Sequence, residues 1–364
     1  MSDALRDVLC TLMKVPGLSG HEGRVAQSIA EQLKEHPGAE PQSDVMGNLW
    51  TTFTGDPDVP SVMLFTHMDQ LGFIVRRIEP DGFLRLERVG GVPERALPAQ
   101  AVTICAAHGD LPGVIANKSH HATSPDEKYH VVRYRDLYVD AGFSSTADAR
   151  SAGIEIGTPV VYAPRVLSLG QHRIAGTSVD DRAGCAVLIE FAARLAARAS
   201  GPTVHLAFTT QEEFNLRGAL PLANRLAPAI AIQIDLTLAS DTPDARELGE
   251  MALGGGPGMS VYSFHGRGTL NGVIPHPGLV RLADDAAAAE GLTLQRSAQT
   301  GILTDLSYVQ HVGPGIAALD LGFPLRYSHS ALEVCDLRDL AGLVQLLDAM
   351  LSRIGPDFAL GRTG

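Results

Sequence analysis

Basic residues are scarce in this chain. Its 364 residues carry 29 Lys and Arg against 41 Asp and Glu, a formal net charge of −12. A nucleic-acid sleeve or an anionic-membrane binder needs surface of the opposite sign, so neither partner is expected. Cysteine is also sparse: Cys10, Cys105, Cys185 and Cys335 lie far apart and form no C-x-x-C pair. That excludes a zinc ribbon and a thioredoxin-type motif, argues against a disulfide framework and favours a reducing, cytoplasmic compartment. Aromatic residues make up 5%, with Trp50 the single tryptophan, which leaves little surface for stacking sugars. No apolar run approaches the ~18 residues that read as a membrane span. Residues 1–15, with Asp3, Arg6, Asp7 and Lys14, lack the basic start and apolar centre of a secretory leader, so none is expected. Internal repeats and low-complexity tracts are missing as well.

What remains has an ordinary globular balance, 45% hydrophobic and 19% charged, and a length that suggests roughly two domains. Helical spacing appears over 3–14, with Leu5, Val8, Leu9 and Leu12 in one stripe, and over 22–35, with Val25, Ile29 and Leu33 in another. Ser19 or His21 could open the second helix. The apolar run Val62, Met63, Leu64, Phe65 reads as a buried strand that delivers His67 and Asp69 at its C-terminal end. From about 76 to 165 the pattern changes to short β-type runs, at 83–86, 102–105, 131–134, 137–139 and 160–162, many of them separated by turn residues. The α/β rhythm then returns: helix over 181–199, strand 204–209, helix 217–226, strand 229–236, helix 278–291. The expected architecture is α/β, a mostly parallel central sheet with helices on both faces, interrupted by a small all-β, barrel-like insertion. The catalytic domain would comprise 1–75 and 166–364, and the insertion 76–165.

In such a sheet, ligands sit at the C-terminal ends of strands. His67-Met68-Asp69 closes one strand; a histidine ligates metal when neutral, and a carboxylate can hold its other ring nitrogen. Taken alone this is better read as a satisfied hydrogen-bonded pair. Asp180-Asp181 opens a helix, where capping is the better reading of two aspartates taken alone. Glu212-Glu213 follows the strand 204–209; adjacent carboxylates repel unless a cation or proton lies between them, and a solvated loop would also serve. Asp235 ends a strand, and His329 lies in a loop after an apolar run. Together, two histidines and several carboxylates at strand-to-loop junctions suit a two-metal hydrolase. Imidazole and carboxylate donors without thiolates suit zinc, with cobalt and manganese as alternatives.

An ordered set of segments then carries a resemblance over nearly the whole chain. It comprises Val15-Pro16-Gly17-Leu18-Ser19-Gly20-His21-Glu22, Asp44-Val45-Met46-Gly47-Asn48-Leu49, His67-Met68-Asp69-Gln70-Leu71-Gly72-Phe73, Val179-Asp180-Asp181-Arg182-Ala183-Gly184, Gln211-Glu212-Glu213, Arg217-Gly218-Ala219, Asp241-Thr242-Pro243, Thr304-Asp305 and Arg326-Tyr327-Ser328-His329-Ser330. The chain resembles the glutamyl/deblocking aminopeptidases, metallopeptidase family forty-two, some of which carry the name endoglucanase M. The resemblance implies that His67, Asp180 and Asp235 bind one divalent metal and that Asp180 bridges to a second, completed by Glu213 and His329. It implies Glu212 as general base and acid, Asp69 as the residue orienting His67, and a cis Asp180–Asp181 bond. It further implies a peptide substrate, or alternatively a small amide, and a homo-oligomer, from dimer to dodecamer, with the insertion as lid and assembly unit.

Three departures bear on the pocket. Gln70 stands where relatives carry Glu, Phe214-Asn215 where they carry Val-Gly, and Gly301-Ile302-Leu303 where they tend to have a glycine pair. A glycosidase is disfavoured, because neighbours in an extended chain such as Glu212 and Glu213 point to opposite sides. The run Leu253-Gly254-Gly255-Gly256-Pro257-Gly258 lacks the Lys-Ser/Thr of a phosphate loop and reads as a tight structural turn.

Overall fold

The computed structural model describes residues 3–266 and 270–362. At its centre, four parallel strands lie in the order Val204–Thr209, Val62–His67, Ile230–Leu238 and Ala317–Leu325. Antiparallel neighbours Leu49–Phe53 and Gly258–Phe264 flank them, and Gln295–Thr300 runs parallel to the latter.

Alternation along each strand divides the core in two. Val62 and Leu64 pack into one apolar cluster with the helices Asp3–Leu12, Gly23–Leu33, Val179–Ala197, Pro277–Ala289 and Leu337–Leu351. Met63 and Phe65 pack into another with Ala219–Leu226 and Leu306–Val309. A parallel strand covered on both faces reads as continuous apolar sequence, and this is why the 62–65 run lacks alternation. The stripes Leu5, Leu9, Leu12 and Val25, Ile29, Leu33 are all buried. Glu22, rather than Ser19 or His21, precedes the second helix, and Ser19 gives its hydroxyl to Asp69 at 2.5 Å.

Six strands, Gly72–Ile78, Leu84–Val89, Ala101–Ala106, Gly109–Ile115, Val139–Asp140 and Pro159–Tyr162, close into a barrel around Phe73, Val75, Leu84, Ile104 and Val160. The expected strand at 131–134 is not there. Val131 and Val132 are 56% and 44% exposed, with no neighbouring strand, and Tyr134–Asp136 forms a single 3-10 turn; β-branched residues make a strand only where there is a surface to pack on. The glycine-rich run near 255 is a structural turn, its Gly254 and Gly256 amides donating to the Asp339 carboxylate at 2.7 and 2.8 Å. Among the described residues, no helix is long and apolar enough to cross a membrane.

Candidate metal centre

The parallel strands gather the candidate residues at one end of the sheet. His67 closes its strand and pairs with Thr209. Beyond Thr209 the chain turns at Gln211, in the left-handed region at φ +56°, and presents Glu212 and Glu213. The Asp235 strand pairs with the His67 strand only as far as Gln233 opposite Phe65. Asp235 therefore lies past the paired region, although its own strand continues to Leu238 rather than ending near 236. His329, itself at φ +68°, sits in the turn after Leu325.

The two adjacent aspartates divide the two readings open in the sequence. Asp181 Oδ1 accepts the Gly184 amide hydrogen at 3.0 Å, a helix cap. Asp180 lies between two imidazoles, with Oδ1 3.1 Å from His67 Nε2 and Oδ2 3.5 Å from His329 Nε2. The peptide bond joining them is cis. Donor atoms of His67, Asp180 and Asp235 lie within 4.8 Å of one another, and so do those of Asp180, Glu213 and His329. Glu212 stands outside both groups, its Oε2 4.0 Å from His67 Nε2. Glu213 Oε2 is 3.7 Å from His329 Nε2.

Surrounding groups fix the donors. His67 Nδ1 is 3.1 Å from the Asp69 carbonyl and His329 Nδ1 is 3.0 Å from the Gly91 carbonyl. With each Nδ1–H so engaged, the Nε2 of both rings is directed to Asp180. The Asp69 carboxylate is 3.4 Å from His67 Nδ1, but its shortest contacts are elsewhere. Oδ1 accepts the Glu212 amide, and Oδ2 accepts the Glu213 amide and the Ser19 hydroxyl. Glu333, which sequence reasoning passed over, accepts the Asp180 amide at 3.0 Å and the His329 amide at 2.7 Å. Its only sequence signal is its place four residues after His329.

Charge within the chain is unbalanced here. Burial, with repulsion from neighbouring carboxylates, pushes Glu213, Asp235 and Asp305 up to about 7 and raises Glu212, Asp181 and Glu333 well above the ordinary carboxylate range. Burial alone would lower both histidines. The Asp180 and Asp69 carboxylates outweigh it and hold His67 well above the usual value; Glu213 and Asp180 hold His329 at about 9. Asp69 goes the other way: His67 and Ser19 overcome burial and keep it below its usual value. Two oxygen- and nitrogen-donor groups sharing one carboxylate, in a surplus of buried acid, fit a pair of divalent cations. The buried Arg182 directs its Nη atoms instead to the Met68 and Val15 carbonyls and to Gln70 Oε1.

A cleft of about 520 Å³ opens onto both donor groups. Gly91 and Pro93 reach its rim from the barrel, and Asn215, Leu216, Ile302 and Leu303 form part of its wall. Gln70 is turned away from it, accepting the Gly17 amide at 3.0 Å. Phe214 is 42% exposed and lies under Arg217. Cys185 is packed in the helix, its thiol pushed up to about 12 by burial.

Residues 47–346 match the family described as M42 glutamyl aminopeptidase. The chain is 37% identical over 352 residues to SgcX of Escherichia coli (strain K12), covering 96% of this chain and 94% of that protein. Among solved structures it is similar to the aminopeptidase APDkam598 of Desulfurococcus kamchatkensis, with TM-score 0.89, 32% identity and 97% and 96% of the two chains covered. It is also similar to the Pyrococcus horikoshii TET1 peptidase, which can assemble into a tetrahedron or a large octahedral shell, with TM-score 0.84, 29% identity and 95% and 99% covered.

Proposed function

The chain belongs to the M42 glutamyl aminopeptidase family, and from that premise we propose that it removes single residues from the N-termini of short peptides with two divalent metal ions. The observation that carries the two-metal reading is the position of Asp180, with one carboxylate oxygen toward each histidine. His67, Asp180 and Asp235 would hold one ion, and Asp180, Glu213 and His329 the other. Zinc suits these donors first, with cobalt or manganese as alternatives.

Bound there, the ions supply a water of lowered pKa and polarisation of the scissile carbonyl. Glu212 takes the proton from the attacking water and returns it to the leaving amine. The water oxygen joins the carbonyl carbon as the C–N bond breaks, releasing a free amino acid and a peptide one residue shorter. Asp69 positions both glutamates through their amides, and Glu333 positions Asp180 and His329 in the same way. Residues 1–75 and 166–364 form the catalytic unit in this reading. Residues 76–165 act as the lid and assembly unit of a homo-oligomer, dimer to dodecamer; the shell-forming relative supports assembly as such. A cytoplasmic location accords with the free, widely spaced cysteines.

The test pairs free and N-acetylated peptides and aminoacyl anilides, assayed after chelation and again with zinc, cobalt or manganese restored. Metal-restored cleavage of the free-amine set alone is expected. Cleavage of neither set by fully metallated protein would transfer the reading to a small-molecule amide.

A further inference from the structure

Four successive amides lead into the turn that carries the two glutamates, and a side chain receives each of them. Thr210 donates to Asn48 Oδ1, Gln211 to Glu22 Oε1, Glu212 to Asp69 Oδ1 and Glu213 to Asp69 Oδ2, all at 3.0 Å. We infer that Glu22 is a positioning residue for Glu212, acting through one acceptor oxygen on the Gln211 amide rather than through its charge. The inference rests on Glu212 as the base of the aminopeptidase reading above.

Glu22 reaches this turn from 189 residues away. Its carbonyl accepts the Val25 and Ala26 amides at 2.8 and 3.0 Å, so its backbone begins the helix Gly23–Leu33 while its buried side chain reaches back to the turn. Oε1 also accepts the Gly20 amide at 2.7 Å, which ties the carboxyl to its own loop. From that loop Ser19 gives its hydroxyl to Asp69. One short segment therefore supports the turn twice, through Glu22 directly and through Asp69.

Gln211 is where that support is needed. It lies at φ +56°, a region that a residue with a β-carbon enters at a cost and keeps only where its surroundings hold it. Its amide is held by Glu22 and its carbonyl by the Arg217 amide at 3.2 Å. The chain passes from Gln211 straight into Glu212, so a rotation at Gln211 displaces the Glu212 carboxylate. A base must lie within hydrogen-bond reach of the proton it takes, and a shift of about 1 Å can cost 10²-fold in rate.

The two oxygens of Glu22 are used unequally. Both hydrogen bonds of its carboxyl fall on Oε1, and among the described residues none falls on Oε2. Burial and the neighbouring Asp69 push the group up to about 7, so its negative charge is disfavoured where it sits. An NH₂ group in place of Oε2 therefore breaks no contact. Asp69 differs, because each of its oxygens accepts an amide. The same change, carboxylate to carboxamide, should spare Glu22 and injure Asp69.

The test uses full-length protein restored with zinc, on whichever p-nitroanilide of leucine, lysine or glutamate it cleaves fastest. Glu22→Ala removes the acceptor and should lower kcat by about tenfold or more, with KM and zinc content little moved. Glu22→Gln keeps the oxygen and should restore most of kcat. A general loosening of the fold would instead raise KM or release zinc. Glu22→Met, which keeps the length without an acceptor oxygen, carries the test if Glu22→Ala does not fold. A folded, zinc-loaded Glu22→Ala or Glu22→Met protein with undiminished kcat overturns the inference. A Glu22→Gln protein as slow as Glu22→Ala also overturns it, since the charge would then be what acts. Glu212→Gln in the same assay checks the premise: undiminished kcat there overturns the reading of Glu212 as base, whatever Glu22 does.

Discussion

Asp69 Oδ1 accepts the Glu212 amide hydrogen at 3.0 Å, and Oδ2 accepts the next amide, that of Glu213, at the same distance. One buried carboxylate thus ties the end of the His67 strand to the turn that carries both glutamates. Asp69→Asn replaces one acceptor oxygen by an NH₂ group, so one of these amides loses its partner, and the charge beside His67 is lost. We expect kcat/KM to fall by about 10- to 100-fold, the scale of losing a supporting contact at a metal site, with the far-UV circular dichroism unchanged. Full activity in a folded Asp69→Asn protein would remove Asp69 from the machinery.

That relationship shows where the sequence was legible and where it was not. A short apolar run ending in His67 is a local signal, and the strand ends there. The helix stripes and most of the barrel strands are local in the same sense. Glu333 was illegible because Asp180, whose amide it accepts, is brought to it by tertiary folding from 153 residues away; its contact with His329, four residues off, is the local part. Asp180 and Asp181 look alike in sequence, and only the folded contacts show Asp181 as a cap and Asp180 as the member of both groups. The run at 131–134 has strand-forming residues but no surface to lie on, a fact that no short window contains. Gln70 marked a departure from relatives, yet its amide oxygen is directed to Gly17, away from the cleft.

Glu212 and Glu213 are neighbours with separate expected roles. Glu213 Oε2 belongs to the group with Asp180 and His329, whereas Glu212 stands apart, 4.0 Å from His67 Nε2. Glu212→Gln should therefore keep its bound metal and lose about 10²- to 10⁴-fold in kcat. Glu213→Gln should lose metal affinity first. Metal content by atomic emission, read beside single-turnover rates, separates the two; the opposite pattern would exchange the roles.

Gly91, in the loop after the barrel strand Leu84–Val89, touches the centre directly. Its carbonyl accepts from His329 Nδ1 at 3.0 Å, and a β-carbon placed there would come within 2.9 Å of the same nitrogen. A ring can shift where a backbone cannot, so Gly91→Ala should fold but displace His329. The expected result is a metal affinity about 10- to 100-fold weaker at one of two sites, with the other unchanged, seen as two separated phases in calorimetric titration. Two sites of unaltered affinity would mean that His329 does not depend on Gly91 for its position.

His276 provides a pH test far from the metal donors. It caps the helix Pro277–Ala289: Nδ1 accepts the Gly278 amide hydrogen at 3.1 Å while Nε2 donates to the Leu360 carbonyl at 3.1 Å. Only the neutral ring can do both, and burial lowers its affinity for a proton. Because the folded value lies below the unfolded one, near ~6.5, the unfolded chain binds the proton first as pH falls. The stability from this cap is then complete above about 6.5 and is lost as pH drops toward the folded value. The loss should be about 1 kcal/mol, the net worth of one such hydrogen bond. His276→Asn keeps a capping oxygen and cannot titrate. Urea unfolding from pH 8 to 5 at fixed metal should therefore show the native protein losing stability relative to the variant below about 6.5. Because both proteins share every other titrating group, parallel curves would show that the cap does not depend on the charge of His276.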